Sequence, residues 1–422
     1  MNYPRIAPDI ALDEKSDTPK VSDATSIAAA DPNIDAREVK VKEVLKACDS
    51  KDLGALVRHA TSKYGFVKDN VRRVAWQLLL GDRNSASRKK RESWSSLPPH
   101  KDEDQVQLDV DRSFVYYPND ENTAQIERRK HDLSYVIVDV LRKHPDLCYF
   151  QGYHDIVQVI LLVFDDRNIA AYVASRMSLL RIRDFMLPSM TASISHLRLL
   201  PPILYTADRE LYNHVQGAQP YFALAATLTM YAHDIQEYGD IARLFDFLIS
   251  QEAVMSIYLY AAIILSRRAE LLEVPQDDPQ MQHFILSKLP QPLDLDALIA
   301  RAVELYKAYP PTSLPFRAWA NVSPYSVLKT TTEPQKIWSQ TDEACMRNFT
   351  QHAAQVARQD ARQKALSKAK YMAWAYRKPA SAVGLAIVVG VFALWLGRNG
   401  NSNMFTRSPL FGTLAYKVLG VR

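Results

Sequence analysis

The chain has 422 residues, 47% of them hydrophobic and 23% charged, with a formal net charge of +5. That length and composition can bury a large core and leave room for two or three units, and only twelve glycines beside long Leu-, Ala-, Arg- and Gln-rich stretches exclude a β-barrel or a Gly-rich nucleotide fold and predict an all-α protein. The three cysteines, Cys48, Cys148 and Cys345, are odd in number and far apart, which excludes a disulfide framework and places the bulk of the chain in the cytosol, and the basic balance comes without an RNP-type motif or finger spacing, so no nucleic acid is expected.

Residues 1–40 mix Pro4, Pro8, Pro19 and Pro32 with Asp, Ser and Thr, too polar to offset ordering entropy, and are expected to form a disordered arm without a secretory signal. Helical spacing of Val71, Val74, Ala75, Leu78 and Leu79 predicts a helix over 71–80, stopped by Gly81. A charged loop follows over 85–101, with Arg88-Lys89-Lys90-Arg91 and Pro98-Pro99. A one-faced helix is expected over 125–143, closed by His144-Pro145. The apolar period restarts at Ile156, which puts Gln151 on a short connection at a helix N-terminus, where backbone donors attract anions. Further helices are predicted over 170–180, 209–216, 221–233, 241–249, 254–273 and 298–308, before Tyr309-Pro310-Pro311 and Ser313-Leu314-Pro315-Phe316 mark an exit.

Residues 341–378 hold hardly a glycine or proline and predict a long polar helix. Residues 379–397 carry no charge and, at a rise of about 1.5 Å per residue, are just long enough to cross a bilayer. Lys364, Lys368, Lys370, Arg377 and Lys378 precede this run, whereas only Arg398 follows closely. The positive-inside bias therefore predicts a tail anchor with the N-terminal mass cytosolic and residues 398–422 as a short lumenal tail. The shortness of the span favours a thin membrane such as the endoplasmic reticulum.

Two clusters carry chemistry. Asp109 and Arg112 share a face at i,i+3, with Val106 anchoring the same turn; Tyr149, Gln151 and Gly152 follow on the connection. Taken singly, the first is a common surface ion pair and the second a helix start with aromatic packing. Together they offer a permanent cation with five donors, and an amide able both to accept from and donate to water. That suits phosphoryl transfer to water on a nucleotide bound elsewhere, because the chain has no GxxxxGK[ST], GxSxG, HExxH or CxxC motif of its own.

In this order, with Arg72-x-x-Ala75-Trp76-x-Leu78-Leu79-Leu80-Gly81 before them and Ser313-Leu314-Pro315-Phe316 after, the clusters resemble the TBC domain of Rab GTPase-activating proteins. Val106 stands where the family usually has isoleucine, and Ser113 where threonine is frequent. The resemblance implies a multi-helix TBC domain over 41–325, which leaves a helical juxtamembrane linker over 326–378 ahead of the membrane helix expected over 379–397. It implies Arg112 as an arginine finger and Gln151 as a glutamine finger, supported by Asp109, Tyr149, Gly152 and Val106, with Ser313, Leu314, Pro315 and Phe316 as a partner-facing or structural motif. The chain would then activate a GTPase in trans without hydrolysing nucleotide itself, needing no metal or cofactor of its own because the GTP-bound Rab carries GTP and Mg. Phe222-Ala223-Leu224, the surroundings of Tyr205 to Tyr212 and the C-terminal membrane anchor are similar to the endoplasmic-reticulum branch, which acts on Rabs of the early secretory pathway. The same fold is also compatible with a catalytically silent, membrane-anchored Rab-binding adaptor or tether, which would be expected to lack Arg or Gln at these two points.

Overall fold

The computed structural model describes residues 32–81, 94–118, 121–333, 337 and 340–398, and among them every regular element is helical, as composition and periodicity predict. The arm over 1–31, the basic loop Arg88 to Arg91 and the tail over 399–422 lie outside the described residues.

Residues 32–40 do not belong to the expected arm. They open α1 (Pro32–Asp49), which packs on α2 (Leu53–Thr61) and α3 (Asp69–Leu79). Val41 and Val44 are buried there, and the Lys40 ammonium donates to the Ser62 hydroxyl (2.9 Å) and carbonyl (3.2 Å). Apolar contact made across the domain supplies what the polar local sequence cannot.

Helix α3 ends where the sequence predicts, with Gly81 at φ 94°. Its Arg72 and Trp76 clamp it to the domain. Asp246, fully buried on α12 (Tyr238–Ser250), accepts from Arg72 Nε (3.0 Å), Trp76 Nε1 (2.8 Å) and the Phe66 amide (2.9 Å). A buried carboxylate is tolerable only when so saturated with donors.

Helix α4 (Glu103–Asp111) ends at Arg112, and α5 (Thr123–Lys143) opens with a reciprocal cap between Asn122 and Gln125 and stops before Pro145. Helix α6 (Tyr153–Phe164) is buried on nearly every side, held among α3, α5, α7 (Arg167–Met177) and α12. A π-helical turn, Ser178–Ile182, extends α7. Helices α8 (Thr191–Leu197), α9 (Leu200–Ala207) and α10 (Arg209–Val215) follow.

The helix expected over 221–233 is much shorter: α11 covers Leu224–Leu228, and Met230 and Tyr231 then turn through positive φ (49° and 67°). Breaking the helix sends the Tyr231 ring fully into the core, where its hydroxyl reaches the Ser256 carbonyl at 2.8 Å. The span 254–273 is likewise two helices, α13 (Met255–Ser266) and α14 (Arg268–Glu273), divided at Arg267, whose guanidinium reaches the Lys288 carbonyl (2.7 Å). Apolar around most of its circumference, α13 is the pillar between α9 and α16 (Leu295–Ala308), with α15 (Pro279–Leu286) outside.

The folded unit continues past residue 325. Val327 and Leu328 are buried, and the last helix, Asp342–Arg398, lays Cys345, Phe349 and Val356 on the core. Asp342 pairs with Arg176 (2.7 Å), and Asp360 accepts from Thr191 (2.8 Å). The linker over 326–378 is thus docked in its first half, because residues spaced three, four and seven apart carry an apolar stripe. Among the described residues no helix is long and apolar enough to cross a membrane. The stretch 379–397 is only partly described, since the side chains of 379–383 and 396–397 lie outside; within it Ile387, Val388, Val391 and Leu394 are exposed.

Candidate functional site

Arg112 caps the C-terminus of α4, with its side chain 57% exposed, whereas Asp109 one turn earlier is fully buried. Val106, also fully buried, fixes that turn against the core. Arg112 Nη2 donates to Asp109 Oδ1, which also takes Gln105 Nε2 at 3.1 Å. The Tyr149 hydroxyl donates to the other oxygen, Oδ2, at 2.8 Å. Burial, and then the Asp109 carboxylate, push the Tyr149 hydroxyl far above the ordinary phenol value, so it stays a donor. The Tyr149 amide in turn donates to Asp102 (2.9 Å), the residue before α4, so the start and the end of that helix both hold the glutamine segment.

Gln151 is exposed, and its carboxamide makes no hydrogen bond among the described residues. Gly152 behind it is the N-cap of α6 at φ 100°, and a Cβ there would stand 2.6 Å from Thr229 Cγ2. Only glycine satisfies both the left-handed backbone and the close approach. Arg112 and Gln151 line one open cleft of about 670 Å³, together with Gly152, His154, Thr229 and His233. Among the described residues no cluster of ligating side chains could hold a metal ion.

Val106, Asp109, Arg112, Tyr149, Gln151 and Gly152 are therefore brought together. Ser313, Leu314, Pro315 and Phe316 are not among the residues lining the cleft. Leu314 is buried, and Phe316, exposed and at φ 62°, sets its ring edge-on to Tyr205 at 4.8 Å.

Sequence reasoning passed over several cleft residues. His154 Nδ1 lies 3.2 Å from the Tyr149 hydroxyl, and His154 Nε2 lies 3.2 Å from Asp155, which reaches His233 Nδ1 at 3.1 Å. Burial lowers the His154 pKa, whereas the bond to Asp155 raises that of His233. His154 and Asp155 follow Tyr153 in the first turn of α6, close behind the glycine, a readable signal; His233 comes from the turn after α11, which the periodicity misses. Gln158 accepts from the Phe114 amide (3.2 Å), and Phe114 turns through φ 63° into Val115 and Tyr116, whose side chains project into solvent at the rim.

A family model described as the Rab-GTPase-TBC domain matches residues 69–272. TBC1 domain family member 20 of Mus musculus is 36% identical over 286 residues, covering 66% of this chain and 69% of that protein. The GTPase-activating protein gyp10 of Schizosaccharomyces pombe is 31% identical over 307 residues, covering 71% of this chain and 80% of that protein. With the buried Asp109 behind an exposed arginine, and a glycine-seated glutamine across the same cleft, this chain belongs to the Rab-GTPase-TBC domain family.

Proposed function

We propose that the chain is a Rab GTPase-activating protein that completes a partner's active site with two side chains, Arg112 and Gln151. The observation that carries this reading is that a half-exposed guanidinium backed by a buried carboxylate lines the same cleft as an unbonded carboxamide. Arg112 keeps donors free to neutralise charge on the γ-phosphoryl oxygens of GTP, and Gln151 orients the attacking water, in place of a glutamine of the GTPase. Asp109 aims the arginine fork, and Tyr149 holds Asp109. TBC domains need no cofactor of their own; GTP and Mg belong to the GTPase, which engages in its GTP-bound state. The relatives' printed role as GTPase-activating proteins supports the assignment.

The anchor is a further part of the proposal. Residues 379–397 carry no charge, basic residues gather on their N-terminal side, and the apolar side chains described between 384 and 395 are exposed. We assign this stretch to a single-pass span with the catalytic domain on the cytosolic face of the endoplasmic reticulum or early secretory membranes, acting on a Rab of that pathway. Single-turnover GTP hydrolysis with full-length protein in liposomes and a panel of GTP-loaded Rabs tests the activity. Stimulation of one or more Rabs is expected, and binding of GTP-loaded Rab without faster hydrolysis on any of them would replace this reading with that of an adaptor.

A further inference from the structure

His154 stands directly behind the support of Arg112 with one proton too few for its contacts. Its Nδ1 is 3.2 Å from the Tyr149 hydroxyl and 3.5 Å from Asp109 Oδ2, and its Nε2 is 3.2 Å from Asp155 Oδ1. Tyr149 has a single hydroxyl proton, and its hydroxyl oxygen lies 2.8 Å from Asp109 Oδ2. A neutral imidazole carries one N–H. With that proton on Nε2, Asp155 is satisfied, and Nδ1 becomes an acceptor that competes with Asp109 for the Tyr149 proton. With it on Nδ1, the ring donates to Tyr149 and sets two lone pairs against each other between Nε2 and Asp155. The imidazolium alone makes every contact at once. It cannot accept from Tyr149, so the phenol proton then belongs to Asp109.

The groups facing the ring come from each element around it: Asp109 and Arg112 from α4 and its end, Tyr149 from the connection, Asp155 from α6 and His233 from the turn after α11. Burial, Arg112 and His233 hold the ring neutral, and Asp155 and Asp109 oppose them. The ring is nevertheless 9% exposed at its side chain, at the wall of an open cleft, so protons from solvent reach it.

We propose that His154 is a positioning residue for Arg112: its protonation assigns the Tyr149 proton to Asp109 and so fixes the carboxylate that aims the guanidinium. The idea rests on the reading of Arg112 as the finger. Neutral His154 draws the Tyr149 proton partly away and leaves Asp109 more loosely held. Cationic His154 closes the chain from Asp155 through Tyr149 to Arg112. The cleft thereby carries a proton-dependent setting of the finger that no single cluster in the sequence implies.

The test uses full-length protein in detergent micelles with nitrogen-labelled arginine and histidine side chains, followed by NMR across the titration of His154. Exchange of the Arg112 guanidinium protons is expected to slow by about fivefold as His154 protonates, the equivalent of one hydrogen bond. In His154→Gln, which still presents a donor and an acceptor but does not titrate, that response is lost, and Tyr149→Phe abolishes it with His154 intact. Arg112 exchange that ignores the His154 titration, or follows it unchanged in His154→Gln, overturns the proposal. In a second arm, single-turnover hydrolysis by a panel of GTP-loaded Rabs is measured across the same range. A kcat that rises as His154 protonates, with KM constant, supports the proposal, and a flat kcat overturns it. If no Rab responds while the NMR coupling is present, the function reading fails and the coupling stands.

Discussion

Asp109 is fully buried while Arg112, its partner one helical turn on, keeps 57% of its side chain in solvent. The asymmetry sets the pair apart from an ordinary surface ion pair and suits the aiming role proposed for Asp109. The buried end is held by Gln105 and Tyr149, so rotamer freedom is restricted at the carboxylate while the guanidinium retains reach. Arg112→Ala and Arg112→Lys should each lower kcat for Rab activation by about 10³–10⁵, because an ammonium cannot span two phosphate oxygens as the planar fork does. Gln151→Ala should also depress kcat with little change in Rab binding. Single-turnover hydrolysis beside a binding assay checks both, and more than a tenth of wild-type activation in Arg112→Lys would contradict the role.

Rim substitutions should behave in the opposite way. Val115 is 72% exposed and Tyr116 45%, on a segment that makes up one wall of the cleft. Val115→Asp should raise KM by about tenfold, roughly 1.4 kcal/mol of docking energy, with kcat at saturation retained. A loss confined to kcat would place these side chains outside the docking surface.

Gly152→Ala meets two obstacles, a left-handed φ of 100° and a contact of 2.6 Å with Thr229 Cγ2. The backbone strain alone costs about 1–3 kcal/mol. Thr229→Ser removes the offending methyl and should restore only part of the stability of Gly152→Ala in denaturant unfolding. Full restoration would mean that crowding, not backbone conformation, demands the glycine.

The last helix should detach when its buried polar seat is broken. Asp184 is fully buried; it accepts from Ser326 and the Val327 amide, lies 2.8 Å from His196 Nε2, and reaches His352 Nδ1 of the last helix at 3.4 Å. Burial raises its pKa, but the bond to His196 and the attraction of the nearby His352 imidazole prevail and hold the carboxyl well below the ordinary carboxylate range. A depressed carboxylate contributes stability that is present above the unfolded value of about 3.9 and lost as pH falls toward the folded one. Docking should therefore weaken in acid, as Asp184 takes up a proton. Asp184→Ala should cost about 3–5 kcal/mol and speed proteolytic cleavage within residues 342–360 at neutral pH. Protection equal to wild type would show that the apolar stripe alone seats the helix.

Much of the site was legible because its chemistry is local. Val106, Asp109 and Arg112 share a helical face by spacing, and Gly152 announces a backbone that side chains cannot follow. His154 and Asp155 were readable by position but carried no motif. His233 and the rim at Val115 and Tyr116 were hidden, since they reach the cleft after positive-φ turns at Phe114, Met230 and Tyr231 that no apolar period predicts. The helix expected over 221–233 was misjudged for the same reason: burying the Tyr231 ring outweighed the helical bonds the turn gives up.

The amino-acid order by itself determined the all-α class, the helices α3, α5, α6, α7, α10, α12 and α16 in outline, and the residues able to lend a cation and an amide, because periodicity and side-chain chemistry act within a few residues. Tertiary structure alone decided that Arg112 and Gln151 face one cleft, that α1 begins at Pro32, and that the first half of the last helix belongs to the folded unit. Those outcomes depend on which distant surfaces exclude water together. The partners of Lys40, Asp184 and Asp246 lie on other helices or on the turns beside them, and burial gives such polar groups their value only once those elements have met.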